Sequence, residues 1–486
     1  MTASRSIAPI TLLALCLAAA APWPIRAQSI GEPFVPEGAL FLPLLGRAAD
    51  LHDLPAPPTA RPTPLPSASP APSATEAPTV TPLPSPKPSP AACPALAERL
   101  RITASDLPAA FRANDEYFPL PLAPRPEGGS LVAWREQAGP VVRVGRFDDT
   151  DRLLGTPLSF AAEEVHALVA HEDGGALVTV ANDPDIYSPK YCRGASTPDK
   201  ALCGKLDLLR FDDGGREQWR RTMTKKVNVD ANGAHFIWWY QHTARLVWSG
   251  QNYGLYWRTA ESSPRPGVPG EIDIHAADLL RLLDSDGKPV DKGGVRACSH
   301  SWAVRLAYSE RFASVCHGDA YPNAFHLITH ELDRPRGESN LLNGLDPAKR
   351  ALGGLVPRPG GFWLLYMAQP GAAMELHLAA IDMAGKVTRD DKLPFATGLA
   401  TAYPFRPYLA AYGEGRLLAG WHKAGALQLA VLDGETGALL EGPAAAGGAK
   451  IDNWAEFMSY PNGDVGWAWS AGGTKRLELL RVAGCS

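Results

Sequence analysis

The sequence predicts an all-β domain of seven four-stranded repeats, preceded by a disordered, proline-rich stalk. Three observations predict this organisation. Short apolar runs alternate with turns rich in Gly, Asp, Asn and Pro over nearly 400 residues, which is typical of many short strands. Two turn patterns alternate through that region. Upstream of it, fourteen prolines occupy the 36 positions from 55 to 90.

The first turn pattern is an apolar stretch, a turn and a second apolar stretch. AHEDGGALVTV and AYGEGRLLAGW are clear copies, and each predicts a hairpin of two strands. Seven copies occur, and their last residues are Trp134, Val180, Trp257, His317, Met367, Trp421 and Trp469.

The second turn pattern is a hydrophobic residue, an Asp and usually a Gly a few residues later. Its aspartates, which tolerate the backbone angles of tight turns, are Asp148, Asp212, Asp284, Asp333, Asp382 and Asp433. Because the two patterns alternate, each repeat holds two hairpins. The 335 residues from Trp134 to Trp469 divide into six steps of about 56 residues. Four-stranded repeats of this size predict a seven-bladed β-propeller over residues 93–486.

The seventh repeat lacks an outer strand of its own, because the chain ends soon after the predicted strand from Leu477 to Val482. An antiparallel strand from the residues after Cys93 can complete it and protect the edge. That pairing brings Cys93 beside Cys485 and predicts a disulfide that closes the ring. The same repeat register places Cys298 at the start of the inner strand of blade four and pairs it with Cys316 across one hairpin, and it pairs Cys192 with Cys203 across one loop.

The N-terminus has the pattern of a secretory signal peptide over residues 1–27. Arg5 precedes an apolar run from Ile7 to Ala21, and small residues follow. The alternative is an uncleaved signal anchor. We expect a short N-terminal segment at 28–54, a disordered linker at 55–92, and a secreted or cell-surface protein. The six cysteines that remain after the signal agree with an oxidising compartment.

Charge excludes some partners. The 47 basic and 51 acidic residues give a net charge of −4 without a basic stripe, so we expect no nucleic-acid partner. No segment after the signal is long and apolar enough to span a membrane. We expect a monomer.

The segment LDGETGALL, from Leu432 to Leu440, resembles the repeat of quinoprotein-like (PQQ-like) propellers of secreted bacterial proteins. FDDGGREQW, from Phe211 to Trp219, is similar and carries the later Trp of that repeat. The resemblance implies the blade architecture. The other repeats lack the Trp, which argues against a bound quinone, and we expect no cofactor.

Long loops are predicted on one face of blades two to four, at Ala181 to Cys203, Arg258 to His275, and Cys316 to Asn323. Long loops on a rigid scaffold often carry function. Aromatic residues, His and Arg crowd the same face, and Arg245 and Arg305 share a register that predicts the same strand face. The predicted ligand-binding residues are Trp239, Tyr240, His242, Arg245, His275, His300, Arg305, His317, Asp319 and Tyr321.

Aromatic stacking with directional bonds from Arg and His predicts a recognition site for a glycan, peptide or protein partner. One alternative is a secreted hydrolase or lyase for an extracellular polymer, with His300, His317 and Asp319 as the catalytic candidates. Another is a structural scaffold, in which the two arginines only bridge blades. The same three candidates have donors suited to a metal, but their spacing matches no metal motif, so we expect no metal.

Overall fold

The computed structural model describes residues 93–112, 120–182, 204–224, 235–236, 244–264, 267–268, 272–291, 295–296, 298, 301–318, 322–331, 334–399 and 406–485. The predicted signal peptide, N-terminal segment and linker lie outside these residues. No helix in the described ranges is long and apolar enough to cross a membrane. Two single-turn 3₁₀ helices occur there, at Leu96–Glu98 and Pro347–Lys349.

The first strand of the described chain belongs to the last blade, and the first four blades follow in order. This first strand is β1 (Leu100–Asp106), and blade one consists of β2 (Leu122–Pro124), β3 (Ser130–Arg135), β4 (Val141–Phe147) and β5 (Leu153–Ala161). Blade two consists of β6 (Glu164–His171), β7 (Gly174–Asn182), β8 (Gly204–Asp212) and β9 (Glu217–Thr222), and blade three of β10 (His235–Phe236), β11 (Ala244–Trp248), β12 (Asn252–Pro264), β13 (Ile272–Asp284) and β14 (Val295–Arg296). Blade four consists of β15 (Val304–Tyr308), β16 (Phe312–His317), β17 (Phe325–Glu331) and β18 (Arg334–Leu341).

Three further blades complete the chain. Their strands are β19 (Arg350–Arg358), β20 (Gly361–Ala368), β21 (Glu375–Asp382) and β22 (Val387–Lys392) in blade five; β23 (Tyr408–Tyr412), β24 (Arg416–Lys423), β25 (Ala426–Asp433) and β26 (Leu439–Ala445) in blade six; and β27 (Met458–Ser459), β28 (Val465–Trp469) and β29 (Arg476–Val482) in blade seven.

Within the described ranges the strands form seven antiparallel sheets. The innermost strands contact one another in the cyclic order β2, β6, β11, β15, β19, β23, β27 and back to β2. The sheets therefore surround a central axis as the blades of a seven-bladed propeller, which confirms the predicted fold.

The ring closes through the N-terminal strand. β1 pairs antiparallel with β29, from Leu100 opposite Val482 to Asp106 opposite Arg476. Cys93 and Cys485 form a disulfide with their Cα atoms 6.0 Å apart. The outer strand predicted for blade seven and its closing disulfide are both confirmed. The predicted Cys298–Cys316 disulfide is also present.

The Asp turns have one local cause. At Asp212, the side-chain Oδ1 accepts hydrogen bonds from the backbone N–H groups of Gly214 and Arg216, which fixes the turn between β8 and β9. The same two-bond pattern recurs at Asp148, Asp284 and Asp382. The pattern predicted at Asp333 lies outside the described residues.

The core lies between neighbouring blades. In blade five, the buried side chain of Trp363 packs with Leu417 and Trp421 of blade six, and its indole N–H donates to the carbonyl of Gly434 at 2.8 Å. Between blades one and seven, Trp134 packs with Leu477. Large apolar side chains therefore join each sheet to the next.

Two local predictions are wrong. The loop predicted from Arg258 to His275 is mostly strand, because β12 and β13 extend their ladder to the pair Pro264 and Ile272. His275 consequently lies inside β13. Cys298 was expected to begin the inner strand of blade four, but that strand starts at Val304. Cys192 and Cys203 lie outside the described residues.

Candidate functional site

The inner strands of all seven blades start at the same end of the central channel, because the blades are related by rotation about its axis. Arg245 is the second residue of β11, and Arg305 is the second residue of β15. Glu456 precedes β27 on the opposite side of the ring. The polar side chains at the channel mouth are therefore supplied by the starts of inner strands.

Arg245 and Arg305 converge on one carboxylate oxygen. The Nε atom of each arginine lies 3.0 Å from Oε1 of Glu456. Each Nη1 also donates to the carbonyl of the preceding residue in its strand. The two arginines reach the same oxygen because they occupy equivalent positions in the inner strands of blades three and four, as the sequence predicts.

A third arginine joins them from blade six. Nη2 of Arg406 donates to the carbonyl of Trp302 at 3.0 Å, and its guanidinium lies over the ring of Trp454 at 4.2 Å from the centroid. Nη1 of Arg406 has no hydrogen-bond partner among the described residues. We define the channel mouth as Arg245, Arg305, Arg406, Trp454 and Glu456.

Arg406, Trp454 and Glu456 were not predicted from the sequence. A usable signal existed for Arg406, because like Arg245 and Arg305 it lies close to the start of an inner strand. Glu456 carries no such signal, because its segment is irregular and its partners are distant in sequence.

The electrostatics of the mouth are unusual. Burial lowers the pKa of Arg305 to about 10, with Glu456 raising it and Arg245 lowering it further. Burial, followed by the charges of Arg305 and Arg245, lowers the pKa of Arg406 to about 9. These pKa values still leave both groups charged at neutral pH, in a setting that disfavours the charge.

A cavity of about 420 Å³ adjoins the mouth. Arg245, Arg305 and Glu456 line it together with the ring of Tyr408. The rest of the lining is mainly apolar and includes Val247, Leu306, Leu355, Leu409, Phe457 and Met458. A smaller recess on the side of His166 and Trp454 shares Arg245 and Glu456 with it. The arrangement combines directional charged donors with apolar walls.

Of the other predicted site residues, His317 is buried against the rings of Trp302 and Phe325. Burial, then the charges of Arg350 and Arg406, hold the pKa of His317 well below 6.5. His275 lies in β13, where only its backbone is described. The predicted residues outside the described chain are Trp239, Tyr240, His242, His300, Asp319 and Tyr321.

A second polar cluster lies on blade five and was also missed. The Tyr366 hydroxyl donates to Oδ2 of Asp390 at 2.6 Å. His377 lies 3.3 Å from Oδ1 of Asp390 and 3.3 Å from Oε2 of Glu375. Its polar atoms are paired with one another, which indicates a local structural network. Within the described ranges, no group of three or more His, Cys, Asp or Glu side chains is arranged to hold a metal ion.

No protein-family model matches the chain, and no curated protein is significantly similar to it. Several solved propellers are similar in structure. The six-bladed fucose-binding lectin of the fungus Aleuria aurantia is 12% identical, with a TM-score of 0.34, over 70% of this chain and 100% of that one. The Dos1 propeller is 10% identical, with a TM-score of 0.38, over 73% and 76%.

The PQQ-bound aldose sugar dehydrogenase of Streptomyces coelicolor is 14% identical, with a TM-score of 0.32, over 68% of this chain and 98% of that one. Identities and TM-scores this low do not indicate a shared ligand or activity.

Proposed function

We propose that this chain is an extracellular or cell-surface recognition propeller that binds a glycan, peptide or protein partner at the channel mouth, on the side of blades three and four. One observation carries the proposal: Arg245 and Arg305, from neighbouring blades, converge on Glu456 at the edge of a cavity of about 420 Å³. Ligand sites in proteins are typically concave and mostly apolar, with a few convergent polar groups.

The proposed location agrees with the cysteine chemistry. Cys93–Cys485 and Cys298–Cys316 are both disulfides. Such bonds persist in oxidising compartments and are rare in the cytosol of most organisms. A ligand outside the cytoplasm is therefore the appropriate class to test.

Recognition is favoured over turnover by the character of the groups at the mouth. General acid–base catalysis needs a group whose pKa lies near the working pH. Among the described histidines of this face, His317 and His422 both have a lowered pKa, chiefly because they are buried. Guanidinium groups bind and orient, but they do not exchange protons readily near neutral pH.

The test is a binding screen of the full chain on glycan and peptide arrays, followed by the variants Arg245→Ala and Arg305→Ala and a control. We expect a ligand whose binding is weakened at least about tenfold by Arg305→Ala, since charged hydrogen bonds contribute about that much. Arg216→Ala is the matched control, because Arg216 is an exposed arginine in the turn after β8, at the other end of the blades.

Two results would contradict the proposal. One is a ligand that binds equally well to wild type, Arg245→Ala and Arg305→Ala, with all three folded by circular dichroism. The other is release of product from a polymeric ligand by the wild-type chain, which would favour the hydrolase or lyase alternative.

A further inference from the structure

The channel mouth holds more positive than negative charge. Arg245, Arg305 and Arg406 are each more than nine-tenths buried, at 7%, 3% and 8% exposed. Among the described residues, Glu456 is the carboxylate that lies within ion-pair distance of these arginines, and it contacts two of them. Burying like charges together is unfavourable unless a counter-charge compensates.

Arg350 shows how a purely structural arginine is satisfied in the same fold. It is 2% exposed, and its guanidinium donates to the carbonyls of Gly318, Leu342 and Leu345 and to the side chain of Asn323. Both Nη atoms of Arg350 are therefore paired with acceptors.

Arg406 differs from Arg350 in this respect. Its Nη2 has one carbonyl acceptor, that of Trp302, while its buried Nη1 has no hydrogen-bond partner among the described residues. The charged groups that act on it include Arg305 and Arg245. A buried guanidinium with like-charged neighbours favours the binding of an anion, which compensates the charge, and guanidinium geometry suits carboxylate and phosphate groups.

Glu456 occupies the place that an anionic group would take. Its side chain is 31% exposed, in contrast to the buried arginines that it contacts. It lies in an irregular segment before β27, so no strand pairing fixes its backbone. The carboxylate therefore acts as an internal stand-in that an external anion must displace or join.

We infer that the channel mouth binds an oxyanion, a carboxylate or phosphate group, carried by a small organic body that enters the adjoining apolar-walled cavity. The inference rests on the proposed recognition function and names the chemistry of the ligand. Arg245 and Arg305 line that cavity, and the buried charge of Arg406 adds to theirs. Trp454, whose ring packs against the guanidinium of Arg406, lines the smaller recess beside this cavity.

The experiment is isothermal titration of the full chain with three probes at constant ionic strength: inorganic phosphate, glucuronate and glucose. We expect phosphate or glucuronate to bind and glucose not to bind. Tighter binding of phosphate assigns the ligand as a phosphate ester, and tighter binding of glucuronate assigns it as a carboxylate. Both assignments sustain the inference.

Three variants test how individual charged side chains contribute to anion binding. Arg406→Ala should weaken binding of the preferred anion at least about tenfold, because one of the three buried positive charges around the anion is lost. Glu456→Gln should strengthen it, because a competing negative charge is removed while every arginine remains. Arg216→Ala should bind like wild type.

The inference is overturned if neither anion binds to wild type or Glu456→Gln at millimolar concentration, or if glucose binds as well as the anions. If Arg406→Ala fails to fold, Glu456→Gln decides: tighter anion binding sustains the inference, and unchanged or weaker binding overturns it. An array ligand that depends on Arg305 but is not displaced by either anion overturns only this inference. Anion binding without any array ligand contradicts only recognition of a glycan, peptide or protein.

Discussion

The disulfide Cys93–Cys485 should contribute more stability than the other described bridge. It joins residues 392 apart in sequence, whereas Cys298–Cys316 joins residues 18 apart. In the chain-entropy model the first bond restricts the unfolded chain by about 6 kcal/mol and the second by about 3 kcal/mol. Removing the first should therefore cost about 3 kcal/mol more.

The assay is urea unfolding of two double variants against wild type. Cys93→Ser/Cys485→Ser should lose the larger free energy of unfolding, and Cys298→Ser/Cys316→Ser is the matched control with a short loop. The variant without the closing bond still has β1 to hold blade seven, through the seven pairs from Leu100 to Asp106. We therefore expect it to fold.

Equal losses in the two variants would refute the loop-entropy reasoning. So would a larger loss in the short-loop variant. Measuring the dependence on urea concentration in both variants checks that the exposed surface on unfolding is comparable, since a changed slope would indicate a changed unfolded state.

Three further predictions concern charged groups. Asp151→Asn should lower the free energy of unfolding by about 3 kcal/mol in urea titrations, because it leaves the buried guanidinium of Arg481 with only the more distant carboxylate of Asp464, at 3.6 Å, as counter-charge; no change would contradict this. Burial lowers the pKa of His377, but the carboxylates of Asp390 and Glu375 together raise it by more, so its net pKa lies above 6.5. The stabilisation from the protonated ring should therefore be complete below pH 6.5 and lost as pH rises through the folded pKa, and His377→Gln should flatten that part of the stability curve. Hydrogen bonds, chiefly from the backbone N–H of Arg216, lower the pKa of Asp212 below 3.8. The stabilisation that the ionised carboxylate gives should be present above pH 3.8 and lost as pH falls through the folded pKa. Asp212→Ala should therefore weaken the acid sensitivity of the fold measured by circular dichroism.

The two interpretations of the arginine pair differ in one measurable way. If Arg245 and Arg305 only bridge blades through Glu456, then Glu456→Gln should destabilise the fold without creating tighter anion binding. If the mouth is a site, the same change should improve binding of the anion. The sign of that effect separates a scaffold from a recognition module.

Much of the fold could be predicted from local sequence because propeller turns are local. An aspartate such as Asp212 satisfies backbone N–H groups two and four residues later, and this requires no distant partner. The period of the turns then defines blade number. The incomplete seventh repeat, together with Cys93 and Cys485, was sufficient to predict closure, since an unpaired strand edge requires a partner.

Predictions for connecting segments were weaker. The segment after Arg258 has no turn signal that distinguishes an extended hairpin from a loop, and its strands form because each residue finds a partner across the ladder. The start of the blade-four strand likewise depends on where β16 ends. Such boundaries are decided by pairing between strands, which propensity alone does not encode.

The sequence by itself determined the repeat, the number of blades, the ring-closing strand and the register that aligns Arg245 with Arg305. Only the tertiary structure decided that Glu456 reaches both arginines and that Arg406 joins them. These groups come from blades three, four, six and seven. They meet because closing the ring brings the starts of distant strands to one axis, and no spacing along the chain records that meeting.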